Sequence, residues 1–145
     1  MSELLGNDIL MCAFVAWLVA QVTKVLVHGL VARRIDWRRM FGMGGMPSSH
    51  TAFLVALTTM VATREGLGST AFALATAVTM VVIYDAMGVR YQTGKQSHVL
   101  NRILHRMLVE GQPLGDNDLQ ELIGHTPTEV FFGAVIGLIV PVFFR

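Results

Sequence analysis

Four stretches of this chain carry no formal charge: residues 9–23, 51–63, 66–84 and 130–144. Each is apolar and bounded by charge or by turn residues. A helix that crosses a bilayer needs about 20 apolar residues, with a range of roughly 17–25. Segments at about 8–30 and 67–87 meet that length. Segments at about 49–64 and 128–144 are shorter, and span only if the bilayer thins or neighbouring helices shield them. Over the whole chain 53% of residues are apolar and 14% charged, with a mean hydropathy of +0.56. Soluble domains carry about 25% charged residues. The charges here are instead gathered into a few places. The fold class expected is an all-α polytopic membrane bundle of about four transmembrane or re-entrant helices, forming a single domain over 1–145. The alternative is a soluble all-helical domain with buried helices.

Other classes fall away. A net charge of +1 recruits no polyanion, so no nucleic-acid partner is expected. The lone Cys12 excludes a disulfide framework and a cysteine-based zinc site. Glu3 and Asp8 stand where a signal peptide has basic residues, and no small-x-small cleavage site follows. The first segment is therefore read as a permanent helix.

The basic residues orient the bundle. With four spans, residues 31–48 and 88–127 lie on one side. They hold Arg33, Arg34, Arg38, Arg39, Arg90, Lys95, Arg102 and Arg106, eight of the 11 lysines and arginines. The positive-inside rule puts both loops in the cytoplasm, with the chain in the inner or plasma membrane. Within the longer loop, Val99, Leu100, Ile103, Leu104, Met107 and Leu108 recur at helical spacing among His98, Asn101, Arg102, His105 and Arg106. That pattern predicts an amphipathic helix over 94–110, lying on the membrane surface or packed over the bundle. A short helix is expected at about 117–123. In the last segment, Gly133 and Gly137 form a small-xxx-small face. Such a face permits close helix approach, within the monomer or between two copies. A homodimer is the expectation.

Polar groups at membrane depth are costly and are functional candidates by default. Gln21, Lys24 and His28 share one face of the first helix. A glycine-rich run, 42–45, precedes Met46-Pro47-Ser48-Ser49-His50 and leads straight into an apolar helix. Such a turn presents backbone N–H groups to an anion. Ser48 or Ser49 caps the helix, and His50 falls in its first turn. Further on, Thr126-Pro127-Thr128-Glu129 has the form of a capping box with proline at the first helical position, which sets His125 at a helix mouth. Asp85, His98, His125 and Glu129 fit no recognised metal-ligand spacing, so no metal site is expected.

These residues carry a resemblance. Pro47-Ser48-Ser49-His50 resembles the Pro-Ser-Gly-His signature of the type 2 phosphatidic acid phosphatase (PAP2) and vanadium haloperoxidase superfamily. The wider pattern is similar to that superfamily's divergent branch of small membrane proteins, from about residue 20 onward. It includes Arg33-Arg34-Ile35-Asp36-Trp37, residues 44–50, Asp85-Ala86-Met87-Gly88-Val89-Arg90, Leu100-Asn101, and residues 124–130. The departures are specific. After Lys24 and six intervening residues stands Val31, where the first motif has arginine. After Arg90 the third motif's histidine position is Gln96. The match is restored if the third motif is split, with Arg90 as its arginine and His125, followed by Glu129, as its histidine and carboxylate.

The resemblance implies a lipid-phosphate phosphatase without metal or cofactor, acting through a phosphohistidine on a phosphomonoester or pyrophosphate. Lys24, Arg33, Arg34, Ser48, Ser49 and Arg90 would hold phosphate. His50 would be the acid and His125 the nucleophile, with Glu129 or Asp85 orienting it. Phosphatidate, phosphatidylglycerophosphate and polyprenyl phosphates all remain open as substrates. The altered first and third motifs also admit a non-catalytic role as a lipid-phosphate binder, transporter fragment or assembly partner.

Overall fold

A computed structural model of the chain describes residues 6–33, 45–88, 92, 96, 97, 100 and 125–144. Four α-helices are described from end to end: α1 Asp8–Ala32, α2 Ser49–Glu65, α3 Thr70–Met87 and α4 Pro127–Ile139, the last continued by a 3₁₀ turn, Val140–Phe144. No strand occurs among the described residues. The expected 94–110 and 117–123 helices lie outside them, apart from residues 96, 97 and 100, which are helical.

Each helix begins on a polar cap that the sequence supplies. Asn7, Ser48, Ser69 and Thr126 accept from the backbone N–H of Leu10, Thr51, Phe72 and Glu129 respectively. Helix α1 ends at Arg33 in the left-handed region, φ 53°, and α2 ends at Gly66, φ 87°.

Among the described residues, three stretches are long and apolar enough to cross a membrane: Asp8–Leu30, Thr70–Met87 and Pro127–Phe144. Their outward faces are apolar, with Leu18, Leu26, Leu30, Leu74, Met80, Val81, Phe131 and Leu138 exposed. The buried set meanwhile includes Gln21, Lys24, Ser48, Ser49, Thr51, Thr79 and His125. An apolar exterior around an interior that holds seven polar side chains beside its apolar core departs from the pattern of a soluble protein. It is the arrangement that hydrocarbon as a solvent requires. The chain is a multi-pass membrane protein.

Helix α2 is the hub. It packs extensively on α1, α3 and α4, which meet one another only sparsely. Its 17 residues make about 26 Å of helix, short of the roughly 30 Å of hydrocarbon. Enclosure by three neighbouring helices resolves that shortfall. It also explains how Thr58 and Thr79 can meet between α2 and α3 at 2.9 Å, with Thr79 donating to the Ala75 carbonyl.

Small residues bring the helices together. Ala13, Ala16 and Ala20 of α1 and Ala52 and Ala56 of α2 are fully buried, and Phe14 meets Phe53 edge-on at 5.4 Å. On α4, a Cβ added to Gly133 would lie 2.4 Å from the Ser48 carbonyl oxygen, and one on Gly137 2.7 Å from Val55. The small-xxx-small face is thus taken up inside the chain against α2. The expected homodimer has to use other surfaces.

The helices alternate in direction. Arg64, at the end of α2, reaches Asp8 at 3.5 Å and the Phe144 carbonyl at 3.1 Å. The start of α1, the end of α2 and the end of the 3₁₀ turn therefore share one end of the bundle. At the other end stand the close of α1, the starts of α2 and α4, and the close of α3.

Candidate active site

The second end gathers the residues with chemistry. Its frame is two backbone hydrogen bonds. The Ser48 N–H donates to the Glu129 carbonyl at 2.9 Å, and the His125 N–H donates to the Ala86 carbonyl at 3.1 Å. Three segments that are distant in sequence are pinned here: residues 47–50, the last turn of α3, and residues 125–129. The side chains at the tips of α2 and α4 then have defined neighbours.

Ser48 is fully buried as the N-cap of α2, and its Oγ accepts from both the N–H and the hydroxyl of Thr51. Ser49 is buried beside it and His50 is exposed, both in the first helical turn. N–H groups of a first turn have no partner within their own helix. The start of α2 thus presents donors and a partial positive charge at this place. Ahead of it, Gly45 adopts φ 89°, a conformation natural to glycine, and the chain there runs along the aliphatic stem of Lys24. The Met46–Pro47 peptide bond is cis.

The His125 Nδ1–H donates to Glu129 Oε2 at 2.9 Å, and that oxygen also accepts the Thr126 N–H at 3.1 Å. The capping box is complete. Glu129 is therefore both a helix cap and the partner of the histidine, two roles that are alternatives from sequence alone. With Nδ1 donating to a carboxylate, the lone pair of the neutral ring lies on Nε2. The rings of His50 and His125 stand 6.3 Å apart, centroid to centroid, tilted by 57°. They are not stacked.

Lys24 is buried on α1 and interacts electrostatically with Glu129. Gln21 is buried one turn below it, and His28 is half-buried one turn above. Three buried side-chain polar atoms among the described residues lack a hydrogen-bond partner: Gln21 Oε1, His28 Nδ1 and Thr76 Oγ1. Two of the three lie on the Lys24 face of α1.

The remaining candidates separate. Asp85 sits in the last turn of α3, next to the residue whose carbonyl holds His125. Of the two carboxylates weighed for orienting His125, Glu129 is the one bonded to it. Arg33 is exposed at the C-cap of α1. Arg34 and Arg90 lie outside the described residues. Among those described, no three His, Cys, Asp or Glu side chains gather as a metal-holding group. An open groove of about 390 Å³, lined by Met60, Thr63, Arg64 and Phe144, lies at the opposite end.

Residues 5–140 match the family model described as "Divergent PAP2 family". The chain belongs to the divergent PAP2 family. A relative, the uncharacterized membrane protein YuiD of Bacillus subtilis, is 38% identical over 147 residues, covering 94% of this chain and 93% of its own. No solved structure matches. Residues 47–50 and 125–129, two of the stretches on which the sequence resemblance rests, meet in space.

Two contributors to this end were not among the sequence candidates. Gly133 allows α4 to approach the Ser48 backbone, and Thr51 bonds the capping hydroxyl. The small-xxx-small spacing signals the first. A threonine three residues after an N-cap serine is too common to signal the second.

Proposed function

We propose that this divergent PAP2 protein is an integral membrane lipid-phosphate phosphatase, acting on a phosphomonoester or pyrophosphate through a phosphohistidine. One observation carries the reading: His125, with Nδ1 bonded to Glu129, and His50, 6.3 Å away, stand at the mouths of two helices whose N-termini point to the same place. Two histidines in different surroundings are what a double-displacement phosphatase needs, one to attack and one to protonate.

The residues divide the work as follows. Lys24, Ser49 and the first-turn N–H groups of α2 hold the phosphate oxygens, with Arg33, Arg34 and Arg90 as further cations and the Ser48 hydroxyl hydrogen available beside them. Nε2 of His125 attacks phosphorus as the P–O bond to the lipid breaks. The lipid oxygen takes a proton from His50. Water then cleaves the N–P bond, and His50 accepts its proton. Glu129 holds the ring of His125 and stabilises the positive charge that the attack creates on it. Asp85 acts by orienting Arg90.

The placement of eight of 11 basic residues in residues 31–48 and 88–127 supports a site facing the cytoplasm from the inner or plasma membrane. Single cysteines at positions 38 and 115 should be labelled from the cytoplasmic side and one at 66 from outside. Labelling of 38 and 115 from opposite sides ends the shared site.

The direct test is phosphate release by the purified protein from phosphatidate, phosphatidylglycerophosphate and a polyprenyl phosphate. Release that survives EDTA and is lost in both His50→Ala and His125→Ala supports the proposal. Lipid phosphate bound by all three proteins with no release by any returns the non-catalytic reading.

A further inference from the structure

Gln21 is one of the buried polar groups that this mechanism leaves unused. Its residue exposure is 6%, and its carboxamide oxygen is buried with no hydrogen-bond partner. Native proteins seldom bury a polar atom without a partner, and each exception calls for an explanation. In a bilayer the demand is sharper, because no bulk water supplies the missing bond.

The position of the side chain says what is missing. Asp8 meets Arg64 and Lys24 lies along Gly45. Helix α1 therefore runs antiparallel to residues 45–65 in a register that sets Gln21 level with residues 48–51, the mouth of α2. Gln21 and Lys24 are three positions apart, so both project from one face of α1. The unpartnered acceptor thus lies on the Lys24 face of α1, level with the mouth of α2. Ionised phosphate oxygens are themselves acceptors and cannot satisfy it. A donor carried by the rest of the substrate, close to the phosphoester, would satisfy it.

We propose that Gln21 recognises a free hydroxyl on the substrate, and that the site selects lipid phosphomonoesters bearing that hydroxyl on the carbon next to the ester carbon. This rests on the phosphatase reading for the location of phosphate. A carboxamide places a donor and an acceptor side by side. Its NH₂ end can reach a phosphate oxygen while its oxygen takes the neighbouring hydroxyl. A fully acylated glycerol phosphate and a polyprenyl phosphate carry no such donor, and leave the glutamine oxygen buried and unbonded.

The test uses the full chain in detergent micelles and two lipids of equal acyl length. One is a monoacylglycerol phosphate with its hydroxyl free, the other its deoxy analogue. Wild type should prefer the hydroxyl lipid by roughly 10- to 100-fold in kcat/KM. Gln21→Leu should bring the two within about 3-fold of each other, by losing turnover of the hydroxyl lipid alone. Equal turnover of both by wild type, or equal loss of both in Gln21→Leu, overturns the proposal. Should Gln21→Leu fail to fold, the wild-type pair decides. The matching phosphonates, which cannot be hydrolysed, separate this inference from the phosphatase reading. If wild type releases phosphate from neither lipid, that reading fails. Calorimetric preference for the hydroxyl phosphonate then still supports recognition by Gln21, and equal or absent binding of the pair overturns it.

Discussion

The two ends of the bundle hold charge in opposite ways. At one end, Arg64 and Asp8 meet at 3.5 Å with side chains 47% and 69% exposed. At the other, His125 and Glu129 meet at 2.9 Å with side chains 10% and 18% exposed, near a buried Lys24. The exposed pair gains little, because water and salt screen it. The buried set has to overcome desolvation, and it persists only because each partner is hydrogen-bonded or paired. One end closes the bundle with ordinary surface chemistry. The other keeps groups that are costly to desolvate at the mouths of two helices.

That contrast predicts very different sensitivities. His125→Ala should show the largest effect, a loss of lipid-phosphate turnover of about 10³-fold or more. An activated aryl phosphate should not rescue it, because no nucleophile remains. The same substrate should partly restore His50→Ala, whose task is protonation. His98→Ala and His105→Ala should lose little. A dead His98→Ala beside an active His125→Ala would place the third motif wholly within residues 90–102.

Glu129→Gln sharpens the comparison by separating the two roles of one side chain. Glutamine serves as well in a capping box, so thermal stability should change by less than about 1 kcal/mol. Turnover should still fall by about 10²-fold, because the charge that steadies His125 is gone. A variant equally active at equal stability would reduce Glu129 to a cap.

Gly133→Ala tests the packing that joins the two motifs. The new methyl group would press on the Ser48 carbonyl, 2.4 Å from where Cβ must sit. Overpacking of this kind costs about 1–3 kcal/mol, and thermal unfolding in detergent should show it together with reduced turnover. Arg64→Ala should do least. Losing the exposed pair should cost under about 1 kcal/mol and leave kcat unchanged. A large loss of activity there would erase the distinction between the ends.

Much of this was legible in the sequence. Absence of charge marks the four helices, and the capping residues Ser48 and Thr126 mark two of their starts. The order Lys24, His50, His125 and Glu129 carries the resemblance. Other features depend on contacts between distant segments. No local pattern shows that α2 is the hub, because a short apolar run reads alike whether it faces lipid or three neighbours. The glycines at 133 and 137 announce a close approach without naming the partner. Glu129 reads as a cap because its capping partners are local. Its hold on His125 comes from the same oxygen and shows only once His125 is fixed to the end of α3 through the Ala86 carbonyl.

The central claim is that His125 is the nucleophile. It is tested most directly by quenching the working enzyme with a lipid carrying radiolabelled phosphate and locating the label by peptide mapping. The account predicts an acid-labile, base-stable phosphohistidine at His125 that forms and decays at rates compatible with turnover. It predicts no such label in His125→Ala, and accumulated label when His50 is replaced and the activated aryl phosphate is supplied in labelled form. Turnover with no phosphohistidine at any time point, or label on His50 instead, would contradict it.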